Sequence, residues 1–214
     1  MELFIKNKID YKKQTIHVME YSHFDVNSYL KFLTAIEIER LLSFKSLKRQ
    51  QEFVATRILR HEIFGFNHIH YNAVGAPYIK DEGYISISHA EGIVGIALNK
   101  DYEISLDLEL ISNQALRLRE KFLSEKEKAH LNIDSIEEMT KAWSLKEVLY
   151  KLSGERGIHF KEQLALEKKT EDHWLGRIIL NDKTIVVELS TFVKDNMIIS
   201  CNSEKKYVID ENIL

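Results

Sequence analysis

A segment that occurs twice gives the clearest indication of the fold. Residues 123–131 read LSEKEKAHL and residues 33–41 read LTAIEIERL, so a Leu, a Ser or Thr, a Glu and a second Leu recur 90 positions apart. In each copy a Ser or Thr stands three residues before a Glu, which is the capping-box pattern that starts an α-helix. The repeat predicts two equivalent helix starts, and hence an internally duplicated chain.

The sequence around each copy extends the duplication. A helical spacing of apolar residues covers 34–64, with a break at 43–46, and the charge-rich segment 117–153 is also helical. Gly65 and Gly154 end the two helical regions. Strand-like alternation follows each of them, at 84–88 and 93–98 in the first half and at 178–189 and 197–200 in the second.

We therefore predict an α+β fold of two similar α+β halves, residues 1–99 and 100–214, related by a pseudo-twofold axis. A chain of 214 residues can bury one large core, so the halves are expected to fold as a single unit. Arg57 stands at the repeat position equivalent to Glu147. We therefore expect one composite functional site, built mainly from the second half.

The composition is that of an ordinary globular protein, with 44% apolar and 29% charged residues, one Pro and a net charge of −3. It excludes collagen-like and Pro-rich architectures, and the lack of a basic excess argues against bulk nucleic-acid binding. No stretch approaches a membrane span, and residues 1–8, MELFIKNK, lack the apolar run of a secretory signal. We expect a cytoplasmic monomer that does not act at a membrane, with its single cysteine, Cys201, as a small core residue.

Residues 103–110 read EISLDLEL, an almost strict alternation of a strand. Apolar residues share one face, and Asp107 and Glu109 lie together on the other. Two carboxylates held this close repel each other unless a cation or basic group neutralises them, and an all-oxygen set favours a hard ion such as Mg²⁺. The alternative is an exposed strand with two solvated acids.

The segment WSLKEVLYK at residues 143–151 places Trp143, Glu147 and Lys151 on one face of a helix. A solvated Glu–Lys ion pair would by itself explain this spacing. Combined with the strand carboxylates, however, Glu147 and Lys151 would form a metal site beside a phosphate-binding cation, which is what phosphoryl transfer requires.

Ser88 and His89, at the end of the strand at 84–88, are a third candidate site. A hydroxyl, an imidazole and free backbone amides at a strand end suit a phosphate group. A histidine on the solvated surface of a turn is the alternative.

Taken in order, these motifs resemble those of the 4'-phosphopantetheinyl transferases, specifically the two-half type that acts on carrier proteins of fatty acid, polyketide and nonribosomal peptide synthesis. The resemblance runs over residues 33–160. Its marks are Gly75-x-Pro77, Ile87-Ser88-His89, Asp107-x-Glu109, Phe122-Leu123-Ser124-x-x-Glu127, and Trp143-x-x-Lys146-Glu147-x-x-x-Lys151 followed by Gly154 and Gly157. It implies transfer of phosphopantetheine from coenzyme A to a serine of an apo carrier protein, with release of adenosine 3',5'-bisphosphate.

The resemblance also implies roles for individual residues. Asp107, Glu109 and Glu147 would hold Mg²⁺, or Mn²⁺, against the pyrophosphate. Glu147 and Lys151 would act in catalysis, and Glu127, or a water that it positions, would accept the proton of the attacking serine. The implied coenzyme A contacts are Arg40, Arg49, Gly75, Ala76, Pro77, Ser88, His89, Lys146 and Lys151.

The chain departs from the family pattern at three positions. Ala76 replaces a lysine that usually stands between the glycine and the proline, and Lys80 is a candidate to compensate. Ser86 stands in place of an asparagine, and Ser105 in place of a glycine. Because of the missing lysine, a protein of this fold that binds coenzyme A or a carrier without transfer is the alternative. A metal-dependent nuclease is disfavoured, because such sites commonly have Glu-x-Lys on the strand, whereas Glu109 is followed by Leu110 and Ile111.

Overall fold

Two antiparallel sheets, each with a long helix packed against it, form the part of the chain that the structure describes. The structure is a computed structural model and describes residues 4–209. It confirms the predicted α+β class.

The first sheet is formed by six strands. They are β1 (Phe4–Tyr11), β2 (Gln14–Tyr21), β3 (His70–Tyr71), β4 (Pro77–Tyr78), β5 (Tyr84–Ala90) and β6 (Ile93–Asn99), in the spatial order β1-β2-β6-β5-β4-β3. A 3₁₀ helix (Val26–Phe32), α1 (Ala35–Ser43) and α2 (Leu47–Phe64) lie between β2 and β3. The predicted break at 43–46 separates α1 from α2, and Gly65 ends α2 with a φ of 62°.

The second sheet follows a similar plan. Its strands are β7 (Leu106–Leu110), β8 (Leu164–Lys168), β9 (His173–Ile179), β10 (Thr184–Lys194) and β11 (Met197–Asn202), in the order β7-β11-β10-β9-β8, and β12 (Tyr207–Ile209) pairs with β10. Its helices are α3 (Asn113–Phe122), α4 (Glu125–Lys128), α5 (Ile136–Ser153) and α6 (Phe160–Gln163), which lie between β7 and β8.

The two halves share one order of elements. The order β2-β6-β5-β4-β3 in one sheet matches β7-β11-β10-β9-β8 in the other, and in both halves the helices follow the first strand of the set. Equivalent helices of the two halves begin about 90 residues apart in the sequence. Equivalent strands begin further apart, since β5 begins at Tyr84 and β10 begins 100 residues later, at Thr184. β1 and β12 lie outside this correspondence.

Both helix starts predicted from the repeat carry a capping box. Thr34 and Glu37 form it at the start of α1, and Ser124 and Glu127 form it at the start of α4. In each box the hydroxyl accepts from the backbone N–H of the Glu, and the carboxylate accepts from the backbone N–H of the cap.

β7 lies where the two sheets meet. It pairs with β11 in the second sheet, yet the Leu106 N–H donates to Ser86 Oγ on β5 at 2.9 Å and the Leu108 N–H donates to Ser88 Oγ at 3.1 Å. The apolar face of β7 is buried in a core shared with β2 and β6, as the alternation predicts. Gly95 on β6 permits this approach, since a Cβ there would lie 2.8 Å from Leu108 Cδ1.

Cys201 lies in β11 and is completely buried in this shared core. Burial raises the pKa of its thiol to about 12, so the group stays protonated and packs as a small apolar side chain, as predicted. Among the helices of residues 4–209, none combines the length and the apolar character that crossing a membrane requires.

Candidate active site

Asp107 is the centre of a polar cluster on β7. Its Oδ1 accepts hydrogen bonds from Lys151 Nζ at 2.9 Å and from Ser88 Oγ at 3.2 Å, and its Oδ2 accepts one from Ser144 Oγ at 2.9 Å. The residue is only 5% exposed. A carboxylate this deeply buried is retained because three donors, one of them charged, replace its hydration.

The face of α5 that the four-residue spacing predicts is directed at these carboxylates. Near its middle, Trp143 Nε1 donates to Glu109 Oε1 at 2.9 Å, and two turns later Lys151 forms the ion pair with Asp107. Helix α5 therefore closes over the acidic side of β7. Lys151 is bound to the strand carboxylate, so its spacing from Glu147 does not reflect a simple solvated pair on the helix surface.

The pKa values of Glu109 and Glu147 are raised. Burial, with the nearby charge of Asp107, raises the pKa of Glu109 to about 7, although the bond from Trp143 acts in the opposite direction. Burial and the charge of Asp107 also raise the pKa of Glu147 to about 7, and Lys151 only partly offsets them. Within residues 4–209, Glu147 has no hydrogen-bond or ion-pair partner.

The chemistry of this donor set fits a divalent cation. Its donor atoms are carboxylate oxygens, which Mg²⁺ prefers, and the raised pKa values reflect burial first and the charge of Asp107 second, both of which a bound cation would offset. As the side chains stand in the described residues, no three His, Cys, Asp or Glu groups converge closely enough to hold one ion. Ligation of a single ion by Asp107, Glu109 and Glu147 therefore requires their side chains to move closer together.

A cavity of about 770 Å³ opens beside the cluster. Gly75, Ala76, Pro77 and Lys151 line it, so four of the residues that the resemblance assigns to coenzyme A lie around one space. Its complete lining is residues 72, 74–78, 83–87, 103–104, 150–151 and 154–156. Cavities of this size accept ligands as large as a nucleotide.

Hydrogen bonds within residues 72–76 hold the turn that carries Ala76. Asn72 Oδ1 accepts from the backbone N–H groups of Val74 and Ala76 at 3.1 and 2.9 Å, and Asn72 N donates to Ala76 O. Gly75 adopts a φ of 89°, a left-handed conformation that other residues reach only with strain. The glycine of the Gly-x-Pro motif therefore has a backbone role here.

The other five predicted coenzyme A residues lie outside the cavity lining: Arg40, Arg49, Ser88, His89 and Lys146. Ser88 is buried beside Asp107, and His89 follows it at the surface. Arg49 Nη1 lies 2.8 Å from His89 Nε2, within hydrogen-bond distance. The Arg40 guanidinium lies over the ring of Tyr71, 4.8 Å from its centroid. His89 and Arg49 are thus brought together, whereas Ser88 points to the opposite face of β5, toward Asp107.

A protein-family model supports the same interpretation. The model described as the 4'-phosphopantetheinyl transferase superfamily matches residues 101–208, which include β7, α5 and all three acids. The chain belongs to this superfamily. A search of curated proteins finds no significant match to the chain.

Membership assigns the chain to enzymes that transfer phosphopantetheine and use coenzyme A. The matched region, residues 101–208, lies within the second half of the chain, which also contains the three acids. The first half has no equivalent acidic cluster in its described residues. Arg57, at the position equivalent to Glu147, is buried and its Nε donates to Glu37 Oε1 at 3.0 Å, and Arg60 contacts the same carboxylate at 3.3 Å.

Glu127 and Lys146 of this superfamily member form a buried ion pair at 2.9 Å. The Lys146 ammonium also donates to Phe160 O at 2.9 Å and to Phe122 O, which uses its three protons. A direct contact between Lys146 and coenzyme A would therefore require one of these bonds to break. Glu127 also accepts from the Leu166 N–H of β8 at 2.9 Å, so the pair joins α4, α5 and β8.

Three residues around the site have no functional role assigned from the sequence. Ser144 bonds Asp107, but a serine within a helix gives no indication of its partner. Ser86 accepts from β7 and also lines the cavity. Arg156 lines the cavity beyond the end of α5. The Gly154 and Gly157 pair that flanks Arg156 is the one feature that could have marked this loop.

Proposed function

We propose that the protein transfers 4'-phosphopantetheine from coenzyme A to a serine of an apo acyl or peptidyl carrier protein, with Mg²⁺ as cofactor and adenosine 3',5'-bisphosphate as the second product. The observation that carries the proposal is the position of the Asp107 cluster, with Lys151, at the edge of the 770 Å³ cavity. We further infer that residues 1–99 and 100–214 are two halves of one unit related by a pseudo-twofold axis. The matching strand orders support this inference.

In this proposal Asp107, Glu109 and Glu147 hold Mg²⁺, and Mn²⁺ is an alternative ion. When bound, the ion would supply positive charge to the pyrophosphate oxygens. The burial of Glu109 and Glu147 beside the charge of Asp107, which raises the pKa of both glutamates, supports this assignment. Trp143 orients Glu109 through its indole N–H, and Ser144 orients Asp107, so the second layer around the acids comes from α5.

Lys151 is the proposed cation for the charge that develops on the transferred phosphoryl group. Its ammonium is held at the cavity wall by Asp107 and by Leu106 O at 2.7 Å. The turn Gly75-Ala76-Pro77 would receive the adenine end of coenzyme A. His89, Ser88 and Arg49, with Arg40 further away, would face its phosphates.

The proton of the carrier serine needs an acceptor, and Glu127 stays our candidate, acting through a water. Its carboxylate accepts hydrogen bonds from the Lys146 ammonium and from the backbone N–H groups of Ser124 and Leu166. These bonds leave direct contact with the serine less favourable than relay through a water molecule. Glu127 therefore also has a structural role.

The proposal is tested by incubating the protein with coenzyme A, Mg²⁺ and a panel of apo carrier proteins, followed by intact-protein mass spectrometry. We expect at least one carrier to gain the mass of one phosphopantetheine group, and no gain when EDTA replaces Mg²⁺. Binding of coenzyme A without transfer to any carrier from the same organism would contradict the proposal and favour a binding protein without transfer activity.

The raised pKa values predict how Mg²⁺ and pH act on stability. The pKa of Glu109 and of Glu147 is about 7 in the folded chain against 4.5 for an ordinary glutamate, so between these values the unfolded chain ionises first. Without metal, this contribution destabilises the fold as pH rises from about 5 to 8. We expect Mg²⁺ to raise the melting temperature at pH 8 by more than at pH 6. Equal shifts at the two pH values, measured by calorimetry, would count against these two acids as ligands.

A further inference from the structure

Arg156 is a cation at the cavity wall with no partner of its own. It follows the end of α5 between Gly154 and Gly157, whose φ values of 66° and 78° set the path of this loop. Across residues 4–209, Arg156 has no hydrogen bond or ion pair. Lys151, the other lysine or arginine that lines the cavity, is already bound to Asp107.

The turn that lines the same cavity carries no cation. Ala76 occupies the position where the family pattern has a lysine, and it lies on the cavity wall. Lys80, the compensating residue suggested by the sequence, is exposed and is not part of the lining. The cavity walls therefore contain one basic side chain that is free to meet an anion, and it comes from the other half of the chain.

The acidic residues of the lining leave Arg156 available. Glu103 is neutralised by Lys206 at 2.7 Å. Glu155 is next to Arg156 in the chain, but it is exposed and makes no ion pair with it in the described residues. In the described residues no carboxylate forms an ion pair with the exposed Arg156 guanidinium, so a phosphate that enters the cavity would not have to displace one.

We propose that Arg156 supplies the cation that Ala76 lacks and binds a phosphate group of coenzyme A. The inference rests on the function proposed above. A guanidinium presents parallel N–H donors that match a phosphate, and such charged hydrogen bonds are stronger than neutral ones. The two glycines give the loop the backbone freedom to bring Arg156 to the cavity, so the position of the cation has moved from the turn to the end of α5.

The test measures coenzyme A binding directly, by calorimetry at fixed ionic strength, in the full-length protein. We expect Arg156→Ala to weaken binding by about 10- to 100-fold, as for loss of a charged hydrogen bond, and Arg156→Lys to retain most of it. Lys80→Ala should leave the affinity unchanged, and Glu155→Gln, the matched control next to Arg156, should not weaken it. In the Arg156→Ala background, Ala76→Lys should restore at least part of the affinity.

A second ligand, 3'-dephospho-coenzyme A, identifies the phosphate involved. If Arg156→Ala weakens coenzyme A alone, the contact is with the 3'-phosphate; if it weakens both ligands equally, the contact is with the pyrophosphate. An unchanged affinity for both, or no restoration by Ala76→Lys, overturns the inference while leaving the proposed function intact. If the unaltered protein does not bind coenzyme A, the proposed function itself fails.

Discussion

Replacement of Glu147 by glutamine is expected to reduce transfer by about 1000-fold or more while the protein stays folded. The amide keeps the shape of the side chain but removes the charge that we assign to the metal. Since Glu147 has no hydrogen-bond or ion-pair partner among residues 4–209, the change breaks no hydrogen bond and no ion pair. It also removes a carboxylate whose pKa is raised to about 7, so the metal-free variant should melt slightly higher than the unaltered protein at pH 8.

The matched control is Glu39→Gln, the same chemical change at an exposed position of α1. It should alter neither the transfer rate nor the effect of Mg²⁺ on the melting temperature. The Glu147→Gln variant should also lose most of the rise in melting temperature that Mg²⁺ produces. Transfer within tenfold of the unaltered rate would remove Glu147 from the proposed metal site.

Replacement of Lys146 by methionine is expected to give the largest loss of stability, about 3–5 kcal/mol. The change leaves the Glu127 carboxylate buried without its cation and removes the donors for two backbone carbonyls. For a chain of this length, such a loss corresponds to a fall of roughly 10 °C in melting temperature. Thermal unfolding monitored by circular dichroism measures it directly.

A double-mutant cycle isolates the ion pair from the other bonds of each residue. Glu127→Gln alone should also destabilise the fold, because it weakens the capping box and removes the charge that pairs with Lys146. The double variant with Lys146→Met should lose less stability than the sum of the losses of the two single variants. Glu125→Gln on the same short helix, where the side chain is 81% exposed, should change stability by at most about 1 kcal/mol. Strictly additive losses for Glu127 and Lys146 would show that their ion pair contributes nothing.

The sequence predicts those parts of the site whose residues recur at the spacing of a strand or of a helix. Alternation along 103–110 places Asp107 and Glu109 on one side of β7, and the four-residue spacing of Trp143, Glu147 and Lys151 places them on one face of α5. These patterns depend on neighbours in the chain, so the structure reproduces them. No local pattern predicts that β7 and α5 face each other. Only the family resemblance implies it.

Contacts between distant segments have no such signal. The Glu127–Lys146 pair joins positions 19 residues apart, and nothing local to Lys146 distinguishes a buried donor from a lysine that faces a ligand. The β1–β2 hairpin is also missing from the sequence-based fold. Its turn contains Lys12 in a left-handed conformation, with a φ of 52°, in place of the glycine or asparagine that usually marks a hairpin.

The hydroxyl of Ser88 belongs at once to the joint between the two sheets and to the acidic cluster. The same Oγ accepts from the Leu108 N–H and donates to Asp107 Oδ1. A single oxygen atom thus couples the way the halves are assembled to the acid at the centre of the site. A substitution that removes this hydroxyl would therefore remove a contact between β5 and β7 and a hydrogen bond to Asp107 at the same time.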